Sequence, residues 1–201
     1  YKAIFPKGNG TQGDPFIIEE GDLIDLADYV NKGANTRNVY FRQNGDIHVT
    51  NILGQNKRGS EWTAIGYKYP FEGDYDGGGN RIHDGQIANV GTAVGIFGKE
   101  SGSIHNLGAE KIKIDISNEN ARCGVIAGKL MYDSEEQMTG WMRNCYSTDN
   151  NVKAPYVGCV VGEMEKNTSM SRCIESYNAL GGGSIAGSFS GIIQENATVD
   201  M

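Results

Sequence analysis

Short glycine-bracketed apolar segments recur along the chain from about residue 90, and this recurrence restricts the fold more than any other feature. They read Val94-Gly95-Ile96-Phe97-Gly98, Gly124-Val125-Ile126-Ala127-Gly128, Gly158-Cys159-Val160-Val161-Gly162 and Gly183-Ser184-Ile185-Ala186-Gly187, with closing glycines 30, 34 and 25 residues apart. The middle residue is always β-branched and apolar. A polar stretch follows each unit, then a second strand-like element at 103–107, 141–145, 169–173 and, less regularly, 191–197. Two strand signals per period, with length variation confined to polar segments, are the pattern of a solenoid. A five-residue strand cannot bury an apolar face alone. Stacking equivalent strands about 4.8 Å apart would turn the Ile/Val column into a continuous core. The glycines are expected where the backbone bends at positive φ, and insertions such as 132–137 are expected to loop outward. A leucine-rich repeat is excluded because no helix-forming segment alternates with the strands.

The same register puts Cys145 and Cys173 in one column and makes Cys123 and Cys159 diagonal neighbours. None of the four lies in a Cys-x-x-Cys pair, which argues against a structural zinc site, and three disulfide pairings remain open. The three histidines (His48, His83, His105) are scattered and form no spaced ligand set.

The first 60 residues read differently and are expected to form an N-terminal cap, with the repeats of 61–201 continuing it as one domain. Leu23, Leu26, Ala27 and Val30 fall at i, i+3, i+4 and i+7, one stripe of an amphipathic helix over 22–32. Glu19, Glu20 and Asp22 place negative charge at its start, and Lys32 with Gly33 closes it. It is the one helix the periodicity predicts. Flanking segments 16–18 and 39–41 are β-prone.

Further motifs lie between the helix and the repeats. Trp62-Thr63-Ala64-Ile65-Gly66 precedes Phe71-Glu72-Gly73-Asp74-Tyr75-Asp76-Gly77-Gly78-Gly79-Asn80-Arg81-Ile82, and then comes Gly95-Ile96-Phe97-Gly98. Upstream stand Gly10-Thr11-Gln12-Gly13-Asp14-Pro15-Phe16-Ile17-Ile18 and Gly45-Asp46-Ile47. In this order, across residues 10–198, they resemble bacterial surface proteins with GLUG-type repeats. The resemblance implies an all-β fold, a right-handed parallel β-helix with a short N-terminal capping α-helix. It also implies export to the bacterial surface, often within a larger adhesin-like or protease-associated protein. Val125, Cys159 and Ser184 stand where that family has glycine.

Composition bounds the partners. The 201 residues include 29 Gly and 4 Pro, with 38% apolar and 21% charged residues and a net charge of −7. That is too apolar for a disordered chain, and the negative charge disfavours nucleic acid and anionic membrane surfaces. No apolar run approaches the roughly 18 residues of a membrane-spanning helix, so no membrane insertion by this segment is expected. The chain opens on Tyr1 without a signal peptide, as expected of a processed or trimmed product. It ends soon after the last repeat signal, so a further capping element or domain of the same chain is expected to cover the final strand edge.

Aromatic residues carry the binding expectation. Trp62, Tyr67, Tyr69, Phe71 and Tyr75 lie close together with Lys68 and Glu72, and Tyr132, Trp141 and Tyr156 form a second group on the long loop and strand edges. Aromatic faces beside charged groups suit sugar rings, and loops on a rigid scaffold commonly carry binding. The candidate ligand-binding residues are therefore Trp62, Tyr67, Tyr69, Tyr75, Tyr132, Trp141 and Tyr156. The opposing structural reading packs Trp62 and Phe71 under the helix and leaves the tyrosines outside.

Asp74 and Asp76 are a weak calcium candidate, because Gly78 stands where a third ligand would be and no Glu closes the loop. The structural reading makes 76–79 a turn. No cofactor is expected. A polysaccharide lyase or hydrolase would need paired carboxylates at glycosidic spacing or a placed base, and no Gly-x-Ser-x-Gly elbow occurs, so no catalytic residue is assigned and a non-enzyme is expected. Taken together, the sequence points to a secreted or cell-surface bacterial adhesin-like module that binds a glycan or a host or matrix protein. A passive stalk within a larger surface protein is the alternative, and a polysaccharide-degrading enzyme the third reading.

Overall fold

A computed structural model describes residues 4–201; the first three residues of the expected cap lie outside this range. The apolar stripe forms helix α1 (Asp22–Asn31), with Leu23, Leu26, Ala27 and Val30 buried as the periodicity requires. A second helix, α2 (Val49–Gln55), carries the shorter apolar set Val49, Ile52 and Leu53. Its N-terminus is capped by the ring of His48, whose Nδ1 accepts from the Asn51 N–H at 3.2 Å. Histidine is an uncommon cap, so the usual Ser/Thr/Asp/Asn signal for a helix start is missing from the sequence.

Three parallel sheets of seven, ten and four strands make up the body, with a two-stranded antiparallel hairpin, Tyr132–Asp133 with Met138–Thr139, beside them. The seven-stranded sheet runs, in spatial order, Phe16–Ile18, Tyr40–Gln43, Asp74–Asp76, Ser103–His105, Trp141–Arg143, Ser169–Ser171 and Thr198–Asp200. Phe41, Tyr75, Ile104, Met142 and Met170 form its inward row, and each is buried.

This architecture corrects the expected fold class. The chain is a mixed α/β assembly of several parallel sheets, not the all-β, right-handed parallel β-helix with one capping helix. Both helices lie in the first 60 residues, where α2 replaces strand and packs on Arg81–Ile87 through Val49. The three sheets also differ in extent instead of repeating as uniform turns.

The repeat register needs a second correction at its last unit. Gly158 pairs with Gly187, Val161 with Ser190 and Glu163 with Ile192. The fourth unit is therefore Gly187-Ser188-Phe189-Ser190-Gly191, and Ile185, aligned by sequence with the buried Val160, instead pairs with Tyr156 and is 42% exposed. Its following strand is Thr198–Asp200, not 191–197. Ser190 replaces an apolar residue, which hid the match.

The bracketing glycines also act differently from the expectation. None of Gly95, Gly98, Gly124, Gly128, Gly158, Gly162 or Gly187 has positive φ. They are required by crowding: a Cβ on Gly128 would lie 2.2 Å from the Val94 nitrogen and 2.5 Å from the Ala93 carbonyl carbon. Neighbouring backbones approach too closely there for any side chain. All four cysteines are free and buried, and the Ile174 N–H donates to the Cys145 carbonyl at 2.9 Å, which sets Cys145 and Cys173 side by side at the bends between successive strands. Among the described residues no helix is long and apolar enough to cross a membrane.

Candidate binding groove on the seven-stranded sheet

Two outward rows flank the buried row of the seven-stranded sheet. One runs Tyr40, Asp74, Ser103, Trp141, Ser169; the other runs Arg42, Asp76, His105, Arg143, Ser171. Side chains alternate across a strand, so the spacing Asp-x-Asp, Ser-x-His and Trp-x-Arg delivers these six residues to one face and turns Tyr75, Ile104 and Met142 inward. Over that face lies a groove of about 590 Å³, whose lining includes Tyr40, Arg42, Asp74, Asp76, His105 and Trp141.

His105 is the hub of the floor. Its Nε2 lies 2.8 Å from Asp74 Oδ1, and its Nδ1 lies 3.1 Å from the Asn106 amide nitrogen and 3.9 Å from Asp76 Oδ1. The hydrogen bond to Asp74 raises the His105 pKa, opposed by partial burial and helped by the charges of Asp74 and Asp76. The Trp141 ring stacks on the imidazole at a centroid distance of 5.6 Å and an interplanar angle of 25°, yet Trp141 stays 37% exposed. The indole is therefore held in place from one side with surface left for a ligand.

The groove has a wall that sequence reasoning did not find. Arg37 donates to Glu72 at 3.1 Å and to Glu136 at 2.6 Å, and its Nε lies 3.1 Å from Met138 Sδ. Glu136 and Met138 belong to the 132–139 hairpin segment, so one guanidinium ties that outward loop to the segment after α1. Because the partners are about a hundred residues apart, no local pattern marks them.

Beneath the groove lies a second missed residue. Glu100 is fully buried, and neither of its carboxyl oxygens has a hydrogen-bond partner among the described residues. Burial drives its pKa well above the usual carboxylate value, opposed by the nearby Gly102 N–H and aided by the charge of Asp74. A Cβ on Gly140 would lie 3.0 Å from Glu100 Oε2, so the acid sits directly under the start of the Trp141 strand. The register would have exposed it: its row runs Phe71, Glu100, Leu130, Met164, Ile193, one acid among apolar residues. Buried acids left without partners concentrate at functional sites.

The predicted aromatic residues separate. Trp141 alone lines the groove. Trp62 is buried and donates its indole N–H to the Ile96 carbonyl at 3.1 Å, and Tyr75 is fully buried with its hydroxyl on Gln43 Oε1 at 2.7 Å. Both are corrected from ligand-binding to core positions, because their polar atoms are satisfied inside. Tyr75 shows that the Asp74-Tyr75-Asp76 alternation turns its middle residue inward. Tyr67 is half-buried where Asn31 of α1 accepts from the Gly66 and Tyr67 N–H groups at 2.9 and 3.1 Å. Tyr69 is exposed beside Lys68, Tyr132 lies 5.4 Å from Lys166 Nζ, and Tyr156 lies under Arg122 on the ten-stranded sheet. These four do not converge on one surface.

Asp74 and Asp76, the calcium candidates, bond to neighbouring protein groups. Asp74 accepts from Ser103 Oγ at 2.5 Å and meets His105, while Asp76 accepts from the Gly78 N–H at 2.8 Å and from Asn106 at 3.0 Å. Both Asp74 oxygens and one of Asp76 thus meet protein donors, and the Asp76 contacts make a side-chain-stabilised turn. Ser103, Asp74 and His105 do not make a nucleophilic triad either. Asp74 is the central member, and Ser103 hydrogen-bonds to a carboxylate where a nucleophile needs an imidazole base.

No family model matches the chain, and no curated protein matches it. One solved structure matches in fold, a Bacteroides ovatus protein named as a candidate immunoglobulin A1 protease. It shares 18% sequence identity at a TM-score of 0.62 over 98% of this chain and 67% of that one. A likeness at this identity concerns the fold alone.

Proposed function

We propose that this chain is a carbohydrate-binding module of a secreted or cell-surface bacterial protein, adhesin-like in role, and that the groove on the seven-stranded sheet is its binding face. The observation that carries this reading is the exposed Trp141 ring fixed by His105 above a row of charged groups. A sugar ring presents a C–H face that stacks on an aromatic surface and hydroxyls that bond charged side chains at its rim. Arg42 offers a donor and Tyr40 a hydroxyl within the same groove. The resemblance to surface proteins with GLUG-type repeats supports export and an adhesin-like setting. In the fold neighbour, the protease assignment belongs to that protein. Here Ser103 lacks a base, which favours a binding role over peptide hydrolysis.

A glycan array probed with the whole chain, in parallel with immobilised host-matrix proteins, tests the proposal. Saturable binding to a carbohydrate class is expected, with at least a tenfold loss in Trp141→Ala, the scale of an aromatic hot spot. Silence across both surfaces would sink the binding reading and leave the passive-stalk alternative. Depolymerisation of a polysaccharide by the chain would instead establish an enzyme.

A further inference from the structure

We propose that His48, His83 and Asp84 form a binding site for one divalent transition-metal ion of the zinc type, on the ten-stranded sheet away from the groove. The strands Ile47–His48 and Arg81–Ile87 pair in parallel with His48 directly beside His83. Residues 35 apart in sequence therefore become neighbours. Their rings lie 4.9 Å apart at 72°, and one ring nitrogen of each, with one Asp84 carboxylate oxygen, lie within 4.8 Å of one another. Ligands held at about 2.1 Å around a tetrahedral zinc ion are separated by about 3.4 Å, so closure by side-chain rotation suffices. All three residues are half-buried, accessible to an ion yet partly shielded from water.

Each ligand is already held by its backbone or its neighbours. Asp84 has φ +55°, and its carbonyl accepts from Thr50 Oγ1 at 2.7 Å, which ties the left-handed turn to α2. Its Oδ2 lies 2.5 Å from His83 Nδ1. That nitrogen and that oxygen would be the ligand atoms: an ion between them would take Nδ1 of the Nε2-protonated tautomer and replace the hydrogen bond. His48 currently accepts the Asn51 N–H through Nδ1, so ligation through its Nε2 moves its proton to Nδ1 and exchanges a long helix cap for a metal bond. Two imidazoles and one carboxylate favour zinc, nickel or copper over calcium or magnesium, which take oxygen donors. Occupied, the ion would fasten the start of α2 to the strand beneath it.

Titration of the whole metal-free chain with zinc chloride in a non-chelating buffer, read by calorimetry and by histidine ring NMR signals, tests the site. One ion per chain is expected, with the His48 and His83 rings perturbed and a higher melting temperature. His83→Gln and Asp84→Asn should each weaken binding at least tenfold. His48→Asn should do the same while retaining a side chain that caps α2, and its unchanged metal-free melting would show that the fold is intact. Absence of saturable binding, perturbation of His105 alone, or full affinity in the His48→Asn/His83→Gln double variant would overturn the proposal.

Discussion

Glu100 stands beside Leu130 in the ladder of the four-stranded sheet, a buried acid paired with a buried aliphatic and left without a hydrogen bond on either carboxyl oxygen. Removing a charged-form penalty of this kind should stabilise the protein. Glu100→Met, close in volume and apolar like Leu130 and Met164 in the same row, is expected to gain about 1–3 kcal/mol at pH 8. Since the folded-state pKa of Glu100 is raised, its wild-type stability is highest below the ordinary carboxylate pKa of 4.5 and falls as pH rises from there. The gain on substitution should therefore shrink at pH 4. Equal thermal shifts at both pH values would contradict this account.

His105 gives a second pH dependence, with a higher onset. Its folded pKa is raised above 6.5, chiefly by the hydrogen bond to Asp74. A raised histidine contributes stability that is complete below its unfolded pKa and is lost as pH rises through the folded value. Chemical denaturation should show a decline beginning near pH 6.5, and His105→Gln should flatten that limb without altering the one set by Glu100.

Arg37 should matter more to the loop than to the fold. It is 30% exposed, Glu136 is 51% exposed and Glu72 is the more buried partner, so Arg37→Ala is expected to leave the melting temperature nearly unchanged. Hydrogen exchange and limited proteolysis across 133–138 should accelerate, and any glycan affinity should fall with the loss of the groove wall. Unchanged protection of this segment would show that Arg37 does not hold it.

Gly128→Ala places a methyl group 2.2 Å from the Val94 nitrogen, against backbone that cannot turn aside. The expected loss is about 3 kcal/mol, the upper range for overpacking. Gly13→Ala is the control, because a Cβ there meets nothing within 4 Å; its melting temperature should match the wild type.

Much of the fold was legible because burial imposes a pattern on local sequence. The stripe from Leu23 to Val30 and the column Ile96, Ile126, Val160 are all buried, as their spacing indicates. The signal weakened where the chain departed from the pattern. Phe189 and the flanking Ser190 broke the β-branched rule, so the fourth unit was aligned four residues early. His48 hid the start of α2, and with it the mixed character of the fold. The candidate groove was less legible. Trp141 could be named from its type and setting, but His105 and Arg37 owe their places to register and to contacts a hundred residues long. Tyr75 has the composition of a surface residue, and only the inward turn of its strand decides its burial.

The parallel ladder has one further consequence for the outward rows. Tyr40, Asp74, Ser103 and Trp141 sit side by side although they come from four distant stretches of chain. The buried row carries the architecture, while the outward positions lean on one another: Asp74 accepts from Ser103 and meets His105, whose ring stacks on Trp141. A change at one outward position is therefore felt on the next strand, and a new ligand preference takes matched substitutions along a row instead of one residue at a time.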